Sequence, residues 1–200
     1  AATWVNLDDF LLSEISQSEK NKYDPLEIIY KYYPDDNALR RLLIHHSQQV
    51  EKKALEVCSK HPELHLNEKL LRDGAMLHDL GIFLTDAPGI HCHGHFNYLL
   101  HGMLGAELMR REGREDLARI CERHTGTGMT RQAFRDHGVE PPATDLCPET
   151  LEEQVICYAD KFFSKSHPER ERTVEETVKS LEKFGDKGVE IFRKWVEQFD

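Results

Sequence analysis

Apolar residues recur along this chain with the spacing of helices, and almost nowhere with the alternation of strands. Leu39, Leu42, Leu43, His46, Val50, Ala54 and Val57 fall on one helical face, predicting a long helix from near Asp35 and Asp36 to just before Pro62. Further helices are expected from Asn67 to Leu80, with Gly81 as the stop, from Asn97 to Glu112, and from Glu115 to His124. Another should open at Glu149 and Thr150 and reach Lys165. The tail from Thr173 to Phe199 reads as two amphipathic helices broken near Gly185 and Gly188. Short helices are expected near Leu7 to Ile15 and Pro25 to Tyr32. Thr85 to Phe96 and the proline-rich stretch 138–148 resist the pattern and read as loops. The expectation is an all-α helical bundle. Residues 1–200 form one domain in this reading, with a core over about 25–165 and a C-terminal helical extension over 166–200.

Composition narrows the class. Thirty-six acidic against 26 basic residues give a net charge of −10, the wrong sign for wrapping a nucleic-acid polymer or an anionic membrane. No apolar run approaches the ~18 residues of a membrane-spanning helix. The five cysteines are widely spaced with no C-x-x-C pair, so reduced thiols in a cytoplasmic protein are expected. Histidine is abundant at 12 residues, and it is both the commonest metal ligand and the side chain that titrates near neutrality.

Several of these histidines stand on apolar faces. His46 lies between Leu42, Leu43 and Val50 at helical spacing. His78 and Asp79 end a helix amid Met76, Leu77, Leu80 and Ile82, and His101 lies among Leu99, Leu100, Met103 and Leu104. His124 closes a helix whose inward stripe is Leu117, Ile120 and Cys121; Asp160 has Ile156, Ala159 and Phe163 around it. An ionised carboxylate in an apolar stripe must be paired, neutralised or bound to a metal. Lys161 leaves the helix about 100° from Asp160, and nothing basic neighbours Asp79 in sequence. Each histidine alone could be a satisfied core residue, but together they suit a metal centre between bundle helices. Nitrogen and oxygen ligands without thiolate point to a divalent transition metal such as iron, manganese, cobalt, nickel or zinc. His61, His65, His137 and His167 read as surface residues, and His45 as a group behind the ligands. His91, His93 and His95 read as a pocket rim.

His46 in "HSQQV", His78 and Asp79 in "AMLHDLG", and Asp160 in "CYADKFF" resemble the signature of the HD superfamily of metal-dependent phosphohydrolases. The resemblance runs over about 25–165 and includes "DPLEIIYKYYP" ahead of the first long helix. It implies an HD-type helical fold with a metal held by His46, His78, Asp79 and Asp160. His101 in "HGMLGAE" and His124 in "ICERHTG" match positions where binuclear members supply a second metal, so one or two ions are implied, with Asp79 bridging two. With a single ion, His101 and His124 would instead be acid–base or substrate-binding groups. "ERHTGTGMT" and "PETLEEQVICYAD" are similar to a poorly characterised archaeal and bacterial HD-domain group. "HDLGI" lacks the lysine of the "HD-x-G-K" and "HD-x-A-K" branches that act on cyclic di-GMP and diadenosine tetraphosphate, which weakens those activities here.

The expected chemistry is hydrolysis of a small phosphorylated metabolite, a nucleotide above all, with Asp79, His101 and His124 in catalytic roles. Lys161, Arg123, Lys165 and Arg131 are the candidate phosphate donors. The main alternative is an HD-fold mixed-valent di-iron oxygenase, which uses the same six ligands; another is a non-catalytic nucleotide-binding HD module, whose mark would be a missing ligand. Phe184, Ile191, Phe192, Trp195 and Phe199 in the tail would pack on the chain's own core or form a homodimer contact.

Overall fold

A computed structural model describes residues 24–200; the helix expected near Leu7 to Ile15 lies outside them. Nine α-helices occur among the described residues: α1 Pro25–Tyr32, α2 Ala38–Lys60, α3 Glu68–Leu77, α4 His101–Arg111, α5 Glu115–Arg123, α6 Arg131–Asp136, α7 Leu151–Asp160, α8 Val174–Glu182 and α9 Asp186–Phe199. Their starts carry side-chain caps where the sequence offers them. Asn37 accepts from the Arg40 backbone amide and Asn67 from that of Leu70. Thr150 with Glu153, and Thr173 with Glu176, form reciprocal capping boxes that satisfy amides with no intrahelical partner.

Helix α2 packs on α3 and α7, α3 and α7 pack on α5, and α5 lies along α4. Leu43, Val50, Leu71, Leu77, Leu117 and Ile156 are among the side chains fully buried between them. Each such side chain contributes about 1.5–3 kcal/mol of burial relative to exposure. Helix α9 joins the same core: Phe192 and Phe199 have ring centroids 5.7 and 5.5 Å from that of Tyr158 on α7. Gly188 is helical rather than a break, so the interruption is at Gly185 alone, whose φ of 102° suits glycine. Phe184 stays outside the packed stripe and is exposed.

Four elements depart from the sequence expectation. A small sheet stands where only a loop was expected: β1 Thr85–Ala87 lies between antiparallel β2 Cys92–His93 and parallel β3 Phe96–Asn97. Strands of two or three residues are too short to show alternation. Helix α4 therefore starts at His101, not Asn97, because β3 and a 3-10 turn occupy residues 96–100. Helix α7 ends at Asp160 rather than running to Lys165, and the chain turns back through residues 161–172. Part of the 125–148 connection also folds, as α6 and a second small core of Met129, Phe134 and Leu146 set against Leu99, Leu100 and Met103.

The segment before α2 braces the turn that follows α3. The buried Tyr33 hydroxyl donates to the Leu80 carbonyl at 2.7 Å and accepts from the Phe83 amide at 3.3 Å. Those bonds fix the 3-10 helix Leu80–Leu84 directly after Asp79.

Candidate metal centre

The six ligand-type residues stand at or beside helix ends, apart from His46 inside α2. His78 and Asp79 follow the last residue of α3, His124 follows α5, and Asp160 ends α7. Three helix C-termini thus converge there, and their negative partial charge favours a cation. His101 is the first residue of α4. All six residues are buried.

Two groups share Asp79. Single donor atoms of His46, His78, Asp79 and Asp160 lie within 4.8 Å of one another, and so do those of Asp79, His101 and His124. Asp79 Oδ2 faces the first group, 3.2 Å from His46 Nε2 and 3.1 Å from His78 Nε2. Asp79 Oδ1 faces the second, 3.4 Å from the Nε2 atoms of both His101 and His124. Asp160 Oδ1 closes the first group at 3.0 Å from His46 Nε2 and 3.5 Å from His78 Nε2.

One local device orients three of the rings. His78, His101 and His124 each place Nδ1 2.6–2.7 Å from the carbonyl three residues earlier, of Ala75, Tyr98 and Cys121 respectively. A carbonyl can only accept, so each Nδ1 carries the proton and Nε2 is left to face the centre. His101 and His124 then bring two Nε2 atoms within 3.0 Å. Burial holds the pKa of His101 down near 3 and lowers that of His124, so both rings are neutral and two lone pairs meet. His78 Nε2 and both Asp79 oxygens have no partner of hydrogen-bond geometry among the described residues. A buried set of converging acceptors calls for a cation, and its composition fits a divalent transition metal on either side of Asp79.

Protein charge supplies part of the compensation. Contrary to the reading that nothing basic neighbours Asp79, Lys165 folds back from the turn after α7 and places Nζ 2.6 Å from Asp79 Oδ2. Lys161 contacts Asp160, despite the angle at which it leaves the helix axis. Burial works against the Asp79 charge, but Lys165 and His78 outweigh it and hold its pKa well below the usual carboxylate range. Burial likewise opposes charge on His78, yet Asp79 and Asp160 prevail and raise its pKa to about 9, so an ion bound at Nε2 would take the place of the proton that these carboxylates hold there.

The other candidates are placed elsewhere. Arg123 is buried, and its Nη1 bonds the Cys147 carbonyl at 2.7 Å and Glu149 at 2.8 Å, a brace between α5 and the start of α7. Arg131 is exposed on α6, in a surface recess of about 470 Å³ with Arg135, Val139 and Pro141. His45 is exposed and bonds the Pro168 carbonyl at 3.2 Å rather than backing a ligand. His91, His93 and His95 are exposed and belong to neither ligand group. Tyr98 went unnoticed in the sequence, although its ring stacks on His101 at a 4.6 Å centroid separation and 19°. Its position three residues before a ligand-type histidine is the signal that could have found it.

A mostly helical bundle with two carboxylate-linked histidine groups at its centre defines a class of metal-site protein. Residues 43–164 match the HD domain family, and the chain belongs to it. An uncharacterised protein of Methanocaldococcus jannaschii is 32% identical over 145 residues, covering 70% of this chain and 76% of its own length. Two proteins named tRNA (cytidine(56)-2'-O)-methyltransferase are each 31% identical, one from Picrophilus torridus over 146 residues and one from Thermoplasma volcanium over 140. They cover 68% and 70% of this chain, which spans only 38% and 35% of their length. Among solved structures, the HD domain of L. monocytogenes phosphodiesterase PgpH shares the fold at TM-score 0.51 and 19% identity, covering 86% of this chain and 95% of that domain. The same domain in complex with cyclic-di-AMP aligns at TM-score 0.50 and 20% identity, covering 88% and 85% respectively.

Among the described residues no helix is long and apolar enough to cross a membrane.

Proposed function

We propose that this protein is a metal-dependent phosphohydrolase acting on a small phosphate ester, with a nucleotide as the substrate. The observation that carries the reading is the split of Asp79, whose two oxygens face two separate histidine groups. His46, His78, Asp79 and Asp160 would hold one ion and Asp79, His101 and His124 a second. The ions, when bound, supply Lewis acidity toward a phosphoryl oxygen and lower the pKa of a water that attacks phosphorus. The chain's own part is positioning and charge. The carbonyls of Ala75, Tyr98 and Cys121 fix the ring orientations. Lys165 and Lys161 bring positive charge to the carboxylate side of the centre, where phosphoryl oxygens need neutralising. His101, with its pKa held near 3, is a poor proton carrier at neutral pH, which favours the ligand role over the acid–base role.

The likeness to a phosphodiesterase domain solved with cyclic-di-AMP supports a phosphate-ester substrate. Methyl transfer is not carried over from the two methyltransferases, because the chain spans little more than a third of each.

Metal content per chain, by elemental mass spectrometry, tests the centre. Two ions are expected in the wild type, one in His101→Ala and none in Asp79→Ala. Equal content in wild type and Asp79→Ala overturns the site. Phosphate release from a nucleotide panel should proceed equally under air and argon; turnover that requires oxygen would replace hydrolysis by the oxygenase reading.

A further inference from the structure

One face of the small sheet turns toward the metal centre. Thr85 pairs with Phe96 across β1 and β3, and Ala87 with Cys92 across β1 and β2. Directly opposed residues point to the same side of a sheet. On that side Thr85 and Cys92 are fully buried, and Cys92 lies near enough to Asp79 and Lys165 to be influenced by both charges. Asp86, His93 and Asn97 take the opposite, solvent side. Phe96 therefore shares the inward side with buried residues, yet it is 47% exposed.

Its place along the chain keeps its backbone close to that of Tyr98. Tyr98, two residues on, stacks on His101 and accepts the His101 Nδ1 hydrogen bond through its carbonyl. Two residues of extended chain span at most about 7 Å. Three large hydrophobic side chains are exposed among the described residues: Tyr30, Phe96 and Phe184. Arg40 lies over the Tyr30 ring at 5.1 Å and Lys183 over the Phe184 ring at 4.8 Å. The Phe96 ring has no aromatic or cationic partner among the described residues, so it is an unused stacking surface two residues from Tyr98, which stacks on His101.

We propose that Phe96 is the stacking platform for the base of a nucleotide substrate, holding the ring at the rim while the phosphate reaches Lys165 and the metal centre. The assignment rests on the phosphohydrolase reading and adds the part of the substrate that is recognised away from phosphorus. Aromatic stacking is tolerant of base identity, so the platform selects for the presence of a base rather than for one base.

The test compares nucleoside 5′-monophosphates with ribose 5-phosphate, using the manganese-loaded full chain and following phosphate release. Phe96→Ala should raise KM for the nucleotides about five- to tenfold at unchanged kcat and leave ribose 5-phosphate unaffected. Phe96→Trp should restore the nucleotide KM, and its added fluorescence should be quenched by nucleotide but not by ribose 5-phosphate. If Phe96→Ala alters both substrate classes alike, or neither, the platform is refuted while the hydrolase reading stands. Release from neither class by the wild type refutes the phosphomonoesterase form of the hydrolase reading, and the platform for nucleoside monophosphates with it.

Discussion

Gly81→Ala probes the packing that brings His101 to Asp79. A Cβ at Gly81 would fall 2.3 Å from the His101 carbonyl oxygen and 2.4 Å from the Gly105 amide nitrogen, both backbone atoms of α4. Ordinary carbon contacts settle near 3.5–4.0 Å, so α4 must retreat by roughly 1 Å. The colliding carbonyl belongs to His101 itself, and its Nε2 stands only 3.4 Å from Asp79 Oδ1. The retreat therefore opens the group of Asp79, His101 and His124. The other group keeps its side chains on α2, at the end of α3 and on α7, while the three atoms nearest the new methyl all belong to α4. The variant should retain one metal ion per chain and lose the second. Overpacking of this kind destabilises by about 1–3 kcal/mol, and a displacement of about 1 Å at reacting groups lowers turnover by about 100-fold. Elemental analysis and thermal unfolding read both effects. Gly89→Ala is the control, since a Cβ there meets nothing within 4 Å. Two retained ions with wild-type unfolding in Gly81→Ala would refute the claim that this glycine sets the approach of α4.

Two further perturbations test the scaffold. Asp73 is buried on α3, with Lys69 Nζ at 2.8 Å and Arg114 Nη2 at 3.6 Å. Asp73→Ala leaves the buried Arg114 with Asp116 alone, so a loss of about 3 kcal/mol is expected in urea unfolding; a change under 1 kcal/mol would mean that Asp116 suffices. Glu112 accepts from Lys31 at 2.6 Å and from the Tyr32 hydroxyl at 2.5 Å. Burial opposes its charge, but these two donors outweigh burial and hold its pKa below the ordinary value. A carboxylate depressed on folding contributes stability above its unfolded pKa of about 4.3, and that contribution is lost as pH falls through the folded value. Glu112→Gln should therefore flatten the acid limb of the stability profile, measured as Tm between pH 6 and 3, and a profile parallel to wild type would count against the linkage.

What was legible in the sequence depended on how local the determining physics was. His46, His101, His124 and Asp160 could be given a buried face because the phase of a helix is set by its own leucines and isoleucines. The three-residue reach from each Nδ1 to a preceding carbonyl is local as well, and it operates at His78, His101 and His124 alike. Lys165 shows the limit. Its contact with Asp79 joins residues 86 positions apart, and it exists because α7 stops at Asp160 and the chain doubles back. A helix continued to Lys165 would have carried the ammonium away. Arg123 shows the same limit: its guanidinium is held by the Cys147 carbonyl and Glu149, contacts that helical phase does not reveal.

The sheet carries the same lesson into function. Strands of two and three residues leave no periodic trace, so residues 85–96 read as a loop with three histidines. Folding turns those histidines outward and sets Thr85, Cys92 and Phe96 on the inward side. The conspicuous residues of that segment are thus not the ones nearest the chemistry. Pairing, not composition, decides which side chain meets the centre. A register shift of one residue would exchange Phe96 for Asn97 at the rim. The backbone bonds from the Gly94 amide to the Thr85 carbonyl, 2.8 Å, and from the His95 amide to the Leu84 carbonyl, 3.0 Å, hold that register. Close packing reinforces it, because a Cβ at Gly94 would lie 2.1 Å from the Leu84 carbonyl carbon. Gly94 is what lets the backbone approach Leu84 this closely and keep the strands in register.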